Sequence, residues 1–341
     1  MRLRRSDVEA PGIRRRRCGR GFRYFGPDGG PVSEDDRARI RELVIPPAWR
    51  EVWICPWPDG HIQAVGLDAA GRRQYRYHDE WRRRRDADKH DRILTFAREL
   101  PRIRATLAEH LSGRGLTRER VLAAAVRLID LGFFRSGGRE YAEENGTYGL
   151  STLLREHVRC SRNLVTFEYL AKGAKERELA VREESVCAVV RGLKRRPGGG
   201  ERLLAHRAGR DWRDVQAEDI NAYLQEISGG EFTAKDFRTW HATVLAAVGL
   251  AVSSRAPESE TGRRAAVRRV VREVADYLGN TPEVARASYI DPRVIEAFER
   301  GETIARDLPS LGEEAGYGEL ATQGAVESAV CRLIRRIEDR G

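Results

Sequence analysis

The chain has 341 residues, with 62 Lys+Arg against 52 Asp+Glu and a formal net charge of +10. That length suggests two domains, and a composition 40% hydrophobic and 33% charged reads as globular. No apolar run approaches the roughly 18 residues a membrane span needs, and five scattered cysteines without a CxxC pair (Cys18, Cys55, Cys160, Cys187, Cys331) argue against a disulfide framework or a zinc site.

In chain order, residues 1–30 are rich in Arg, Gly and Pro and are expected to be loosely ordered at the start. Their basic opening, MRLRRSDVEAPGIRRRRCGR, has no apolar stretch behind it and does not read as a secretory leader. Residues 34–44 carry a short helical pattern that stops at Pro46-Pro47. Val52–Trp57, His61–Leu67 and Gln74–Tyr77 have strand character, with Pro58-Asp59-Gly60 and Asp68-Ala-Ala-Gly71 as turns, so a small antiparallel sheet is predicted. The charged run from Trp81 to His90 is taken as the approach to a domain boundary, and the pattern becomes helical from residue 91.

Arg120–Phe134 is an amphipathic helix by the spacing of Val121, Leu122, Ala125, Leu128 and Ile129. The period then changes to two in Asn163–Leu170 and Glu176–Arg182, which flank Ala171-Lys-Gly-Ala-Lys175, a β-hairpin with a basic tip. After the Arg196–Gly200 loop, helices are predicted over Ala217–Ile227, Ala234–Val252 and Arg263–Leu278. Gly279 ends the last of them, and Thr281-Pro282 is an N-cap and first-turn pair that restarts a helix at once.

The basic residues comprise 57 arginines and five lysines. Codon bias accounts for such a skew, yet guanidinium forks also match phosphate oxygens, which makes a polyanion a candidate partner. Any chemistry that needs a lysine must draw on Lys89, Lys172, Lys175, Lys194 or Lys235. GxxxxGK[ST], HExxH and GxSxG are all missing, so nucleotide hydrolysis and zinc-protease chemistry are unsupported.

Four local sequences remain: Phe133-Phe-Arg135-Ser-Gly-Gly-Arg-Glu-Tyr141, the hairpin tip with Lys172, Thr233-Ala-Lys235-Asp-Phe-Arg238-Thr-Trp-His241-Ala242, and Leu278-Gly-Asn280-Thr-Pro282 followed by Ser288-Tyr289-Ile-Asp291. Singly, each has an ordinary structural reading: a helix cap, a turn lysine, a helical face, a core tyrosine. Taken in order they resemble the type IB DNA topoisomerases, in particular the bacterial, poxvirus-like branch. Ile45-Pro-Pro-Ala-Trp49 and Gly71-Arg-Arg-Gln-Tyr-Arg-Tyr77 resemble signatures of that family's small DNA-clasping domain, so the likeness covers nearly the whole chain.

The resemblance implies an α+β protein. Residues 1–90 would form a mostly β cap, and 91–341 a mainly helical catalytic domain with one hairpin and a tyrosine recombinase-like fold. It implies a monomeric, cytoplasmic, nucleoid-associated clamp on duplex DNA that relaxes supercoils without cofactor, nucleotide or metal. Tyr289 would be the nucleophile, Arg135, Arg238 and Asn280 would bind the non-bridging phosphate oxygens, and Lys172 would be the general acid, with Lys175 as its rival. Gln74, Tyr75 and Tyr77 would contact DNA from the cap. Many relatives have histidine where this chain has Asn280. A tyrosine recombinase uses the same chemistry but typically carries HxxR where this chain has Lys235-Asp-Phe-Arg238, and a non-enzymatic architectural DNA-binder would form no covalent adduct.

Overall fold

The computed structural model describes residues 1–340 except 70, 133, 139–141, 143–145, 162, 254–258 and 309–322. Phe133 and Arg139–Tyr141 of the arginine motif, and Ala70 of a predicted turn, therefore lie outside the described residues. The chain is α+β and divides into two compact units, Met1–Asp91 and Arg92–Gly341.

The first unit is a five-stranded antiparallel sheet in the order β2-β1-β3-β4-β5, with β1 Ile13–Cys18, β2 Gly21–Phe25, β3 Arg50–Ile54, β4 Ile62–Leu67 and β5 Arg73–Tyr77. Helix α1, Glu34–Glu42, starts at Ser33, whose side chain accepts from the Asp36 amide. Its one buried residue, Ile40, joins Ile13, Val32, Val52, Ile54 and Ala64 in a small core on one face of the sheet. The arginine-rich start is thus not loose. Its hydrogen bonds come from the β1–β2 ladder and from β1 against β3. Apolar alternation could not reveal it, because only Ile13 of β1 is buried. Arg15 takes a structural role, donating to the carbonyls of Ile45 (3.3 Å), Pro46 (3.1 Å) and Trp49 (2.7 Å).

Helix α2, Asp79–Ser112, begins twelve residues before the predicted start, and the division between the units falls inside it. Its first turns are mostly exposed, so they lack the apolar stripe that marks a surface helix from sequence.

The second unit is mainly helical: the rest of α2, α3 Arg118–Gly132, α4 Glu184–Arg195, α5 Ala217–Ser228, α6 Ala234–Ser253, α7 Glu260–Leu278, α8 Pro282–Ser288, α9 Pro292–Glu299 and α10 Ala325–Glu338. One continuous core runs through it, with Val121–Val126 of α3 wholly inaccessible. Val267, Val270, Val271, Val274 and Leu278 form the buried stripe of α7. Strands β7 Val165–Ala171 and β8 Lys175–Val181 form the expected hairpin, with β6 Val158–Cys160 alongside β7. A second small hairpin, β9 Ala205–Ala208 with β10 Asp211–Asp214, was not anticipated from the pattern. No described helix is long and apolar enough to cross a membrane.

Candidate active site

Tyr289 sits where α8 ends against α9. Gly279 closes α7 in the left-handed conformation (φ 66°), and the Thr281 side chain caps α8 with Pro282 in its first turn. Helix α8 is only seven residues long, so Tyr289 follows two caps in quick succession. Its amide donates to the Ala285 carbonyl at 3.0 Å. On the other side Thr243 of α6 donates to the Tyr289 carbonyl (3.3 Å) and accepts from the Asp291 amide (3.1 Å). Asp291, 1% exposed, caps α9 and holds the Arg293 guanidinium at 2.7 Å. The tyrosine is therefore carried by backbone that is tied to α6.

Arg135 follows α3 and is fixed by close backbone packing. Leu150 and Ser151 donate to the carbonyls of Arg135 and Ser136, each at 2.8 Å. Gly137 (φ 89°) passes so near Gly149 that a Cβ on the latter would lie 2.6 Å from the Gly137 nitrogen. The glycines of the motif serve this contact.

Three side chains then converge at the C-terminal end of α7. Arg135 Nη2 donates to Asn280 Oδ1 at 2.7 Å and approaches the carbonyls of Leu278 and Gly279 at 3.4 Å. Arg238, the fifth residue of α6 and 5% exposed, donates to the Leu278 carbonyl at 2.9 Å. Its Cζ lies 5.3 Å from the Tyr289 ring centroid. Asn280 Nδ2 is buried and has no hydrogen-bond partner among the described residues. An orphaned buried amide is costly, and here it stands beside two guanidiniums.

Electrostatics follow from that crowding. Burial pushes the Arg238 pKa down to about 10, the neighbouring Arg135 pushes the same way, and Tyr289 opposes both. Burial raises the Tyr289 phenol, but the charge and hydrogen bond of Arg238, with Arg135 and Lys235, outweigh it and leave the phenol below its ordinary value. The arrangement disfavours excess positive charge and favours an anion.

Lys172 is exposed in the three-residue tip between β7 and β8, where Gly173 has φ 81° and Ala174 φ 54°. With Arg135, Gly137, Gly138 and Tyr148 it lines an open cavity of about 230 Å³, and Lys175 is not among the described lining residues. In the first unit, Tyr75 and Tyr77 stack with centroids 6.0 Å apart. Gln74 alternates to the opposite face of β5 and donates to Asp68 at 3.0 Å.

Two neighbours escaped the sequence reading. Arg177 of β8 donates to the Tyr277 carbonyl at 3.0 Å and fills the space a Cβ on Gly279 would need. Tyr169 stacks on Phe134 with its phenol pushed up to about 12 by burial, against the pull of Arg177, Arg238 and Arg135. Strand alternation identifies neither as a site residue.

A half-buried tyrosine thus lies beside Arg238, with Arg135 held at Asn280 and Lys172 exposed at the hairpin tip. The family model described as the eukaryotic DNA topoisomerase I catalytic core matches residues 78–308, and that of the bacterial DNA topoisomerase IB N-terminal domain matches residues 21–68. The chain belongs to the type IB DNA topoisomerase family, a family of isomerases. It is 28% identical over 303 residues to the DNA topoisomerase 1B of Acanthamoeba polyphaga mimivirus, covering 84% of this chain and 88% of that protein. Against the DNA topoisomerase 1B of vaccinia virus (strain Copenhagen) it is 24% identical over 275 residues, covering 78% and 83%.

Proposed function

We propose that this type IB topoisomerase relaxes supercoiled duplex DNA by reversible transesterification at Tyr289. The phenolic oxygen attacks a phosphodiester, the P–O5′ bond breaks, and DNA remains joined to Tyr289 through its 3′-phosphate. One phosphodiester replaces another, so religation needs no ATP. Arg135, Arg238 and the orphaned amide of Asn280 hold the non-bridging oxygens as charge develops on them, which makes a metal unnecessary. Lys172 gives its proton to the departing 5′-oxygen, a far stronger base than a phenolate. Residues 1–90 act as the cap and 91–341 as the catalytic domain of a monomeric clamp on duplex DNA in the cytoplasm, and Gln74, Tyr75 and Tyr77 contact the DNA from the cap.

The observation that carries this reading is the meeting of Arg135, Arg238 and the unpartnered Asn280 Nδ2 beside a phenol held below its ordinary pKa. A suicide substrate tests it: the adduct maps to Tyr289, and Tyr289→Phe binds duplex DNA yet forms no adduct. Relaxation of a plasmid lacking recombination sites, in EDTA and without ATP, separates this activity from recombination. Lys172→Ala slows cleavage strongly, and replacing the bridging 5′-oxygen by sulfur restores it, because a thiolate leaves without a proton. Rescue of Lys175→Ala instead would move the acid to that residue.

A further inference from the structure

Between Ile13 and Phe25 the chain has six arginines and no acidic residue, a concentration of charge that the active site does not use. The register of the sheet says where they go. Arg14 stands opposite Phe25 on one side and Trp53 on the other, and Arg16 stands opposite Arg23. Trp53 pairs with Val65, and Val65 with Tyr75. Directly opposed residues of antiparallel strands share a face. Arg14, Arg16, Arg23, Trp53 and Tyr75 therefore lie on one side of the sheet, and the core residues Ile13, Ile54 and Ala64 on the other.

Arg14, Arg16 and Arg23 are exposed and form no ion pair with a described residue. Tyr75, 40% exposed, stacks on Tyr77 at the far end of the same face. The N-terminal segment touches the middle of this face, where the Ala10 carbonyl accepts from Trp53 Nε1 at 2.9 Å and Glu9 lies 3.7 Å from Arg73.

We infer that the β1–β2 hairpin is a phosphate-binding edge, through which the cap grips the backbone of the same duplex that Tyr75 and Tyr77 meet. Strands lie about 4.8 Å apart, so β1 and β2 are roughly 14 and 19 Å from β5. The major groove is about 12 Å wide. Both separations exceed that width, so with the tyrosines in the groove the arginine side chains stand past its edge, over the sugar-phosphate backbone. Unpaired, exposed arginines beside aromatic rings suit a backbone that carries charge without sequence. The inference rests on the DNA-relaxing function proposed above and adds a surface to it.

The experiment compares full-length parent, the triple variant Arg14→Gln/Arg16→Gln/Arg23→Gln, and a control with Arg37→Gln/Arg41→Gln on α1, the helix on the core side. Binding to a labelled duplex is followed by anisotropy from 0.05 to 0.5 M salt. Each lost phosphate contact removes about 0.9 from the slope of log K against log salt. The triple variant is expected to lose about 2.7 in slope and roughly 100-fold in affinity at 0.15 M salt, while single-turnover cleavage at saturating DNA matches the parent and the control keeps its slope. A parental slope in the triple variant overturns the inference. Phenylglyoxal modification of the unaltered protein gives a second reading that needs no variant to fold: bound duplex protects Arg14, Arg16 and Arg23 but not Arg37 or Arg41. Equal modification with and without DNA also overturns it. A parent that binds DNA but forms no adduct would instead overturn the proposed function.

Discussion

Two clusters of partly or fully buried arginine in the second unit use the same side chain in opposite ways. Behind the site, Arg104 forms a fork on Asp130 (both contacts 2.9 Å) and reaches Glu327 at 2.6 and 3.0 Å. Arg127 adds contacts to Asp130 at 2.6 Å and Glu183 at 2.8 Å, and Trp240 Nε1 donates to Glu327 at 2.9 Å. Every guanidinium there meets a carboxylate. At the site, Arg135 and Arg238 meet carbonyls, an asparagine oxygen and a phenol. The first cluster joins α2, α3, α6 and α10 into one body, and the second gathers two guanidiniums beside a phenol whose pKa they lower. Arginine content alone does not separate the two; the partner does.

The sharpest way to break the comparison is Asp130→Asn. Burial alone would raise the Asp130 pKa, but the hydrogen bond with His241 and the charge of Arg104 hold it far below the ordinary carboxylate range. Removing one charge from a buried, paired network costs on the order of 3–5 kcal/mol. A carboxylate whose folded pKa is depressed contributes its stability above its unfolded value of 3.8, and loses it as the pH falls toward the folded one. Denaturant melts should therefore show the full deficit at pH 7 and a smaller one below about pH 3.8. A deficit that does not change with pH would place the effect in packing instead of charge.

The site should behave the other way under Arg238→Met. The guanidinium has a pKa pushed down to about 10, so its charged form disfavours the fold at every pH below that value. An apolar side chain of similar length should leave the melting temperature unchanged or raise it. Single-turnover cleavage should fall by roughly 10²–10³, the usual effect of losing one donor to developing charge. Arg238 is also the leading cause that draws the Tyr289 phenol down. The rise of the cleavage rate with pH should accordingly extend to higher pH in the variant. A variant that is both inactive and markedly unstable would mean Arg238 belongs with the structural cluster.

What could be read from the sequence follows the same division. Caps and periodicity located Gly279, Thr281 and Pro282, and hence the short α8 that carries Tyr289. The hairpin showed because Val165, Phe167 and Tyr169 alternate with polar residues ahead of a glycine turn. Periodicity is blind where arginine replaces the apolar signal, as in β1 and the first turns of α2, and there backbone pairing or helix continuity decides. Partners were equally hidden. Nothing local tells that Asp130 meets His241 across 111 positions, or that Arg177 packs at Gly279, because those contacts exist only once α3, α6, α7 and β8 have assembled. The glycines after Arg135 read as a helix end, whereas their use is the close approach of Gly137 to Gly149.

The smallest expected effect falls on Asn280, the neutral member of the site. Its oxygen accepts from Arg135 and its amide is left over, so it has two tasks: orienting a guanidinium and offering one donor to a phosphate oxygen. Neutral hydrogen bonds contribute about 0.5–1.5 kcal/mol net, and those with a charged partner roughly twice as much. Asn280→Ala should therefore slow cleavage by about tenfold, less than Arg135→Ala or Arg238→Ala. Asn280→His should keep most of the activity, since neutral imidazole has one N–H to give and one nitrogen to accept from Arg135. Protonated imidazole has two donors and no acceptor, so the rate of this variant relative to the parent should be constant from neutral pH upward and should decline below its ordinary pKa of about 6.5. Single-turnover cleavage of the four variants from pH 5 to 9 checks the whole set. If Asn280→Ala is as damaged as the arginine variants and Asn280→His is equally dead, the side chain holds Arg135 in place and its spare amide never meets the phosphate.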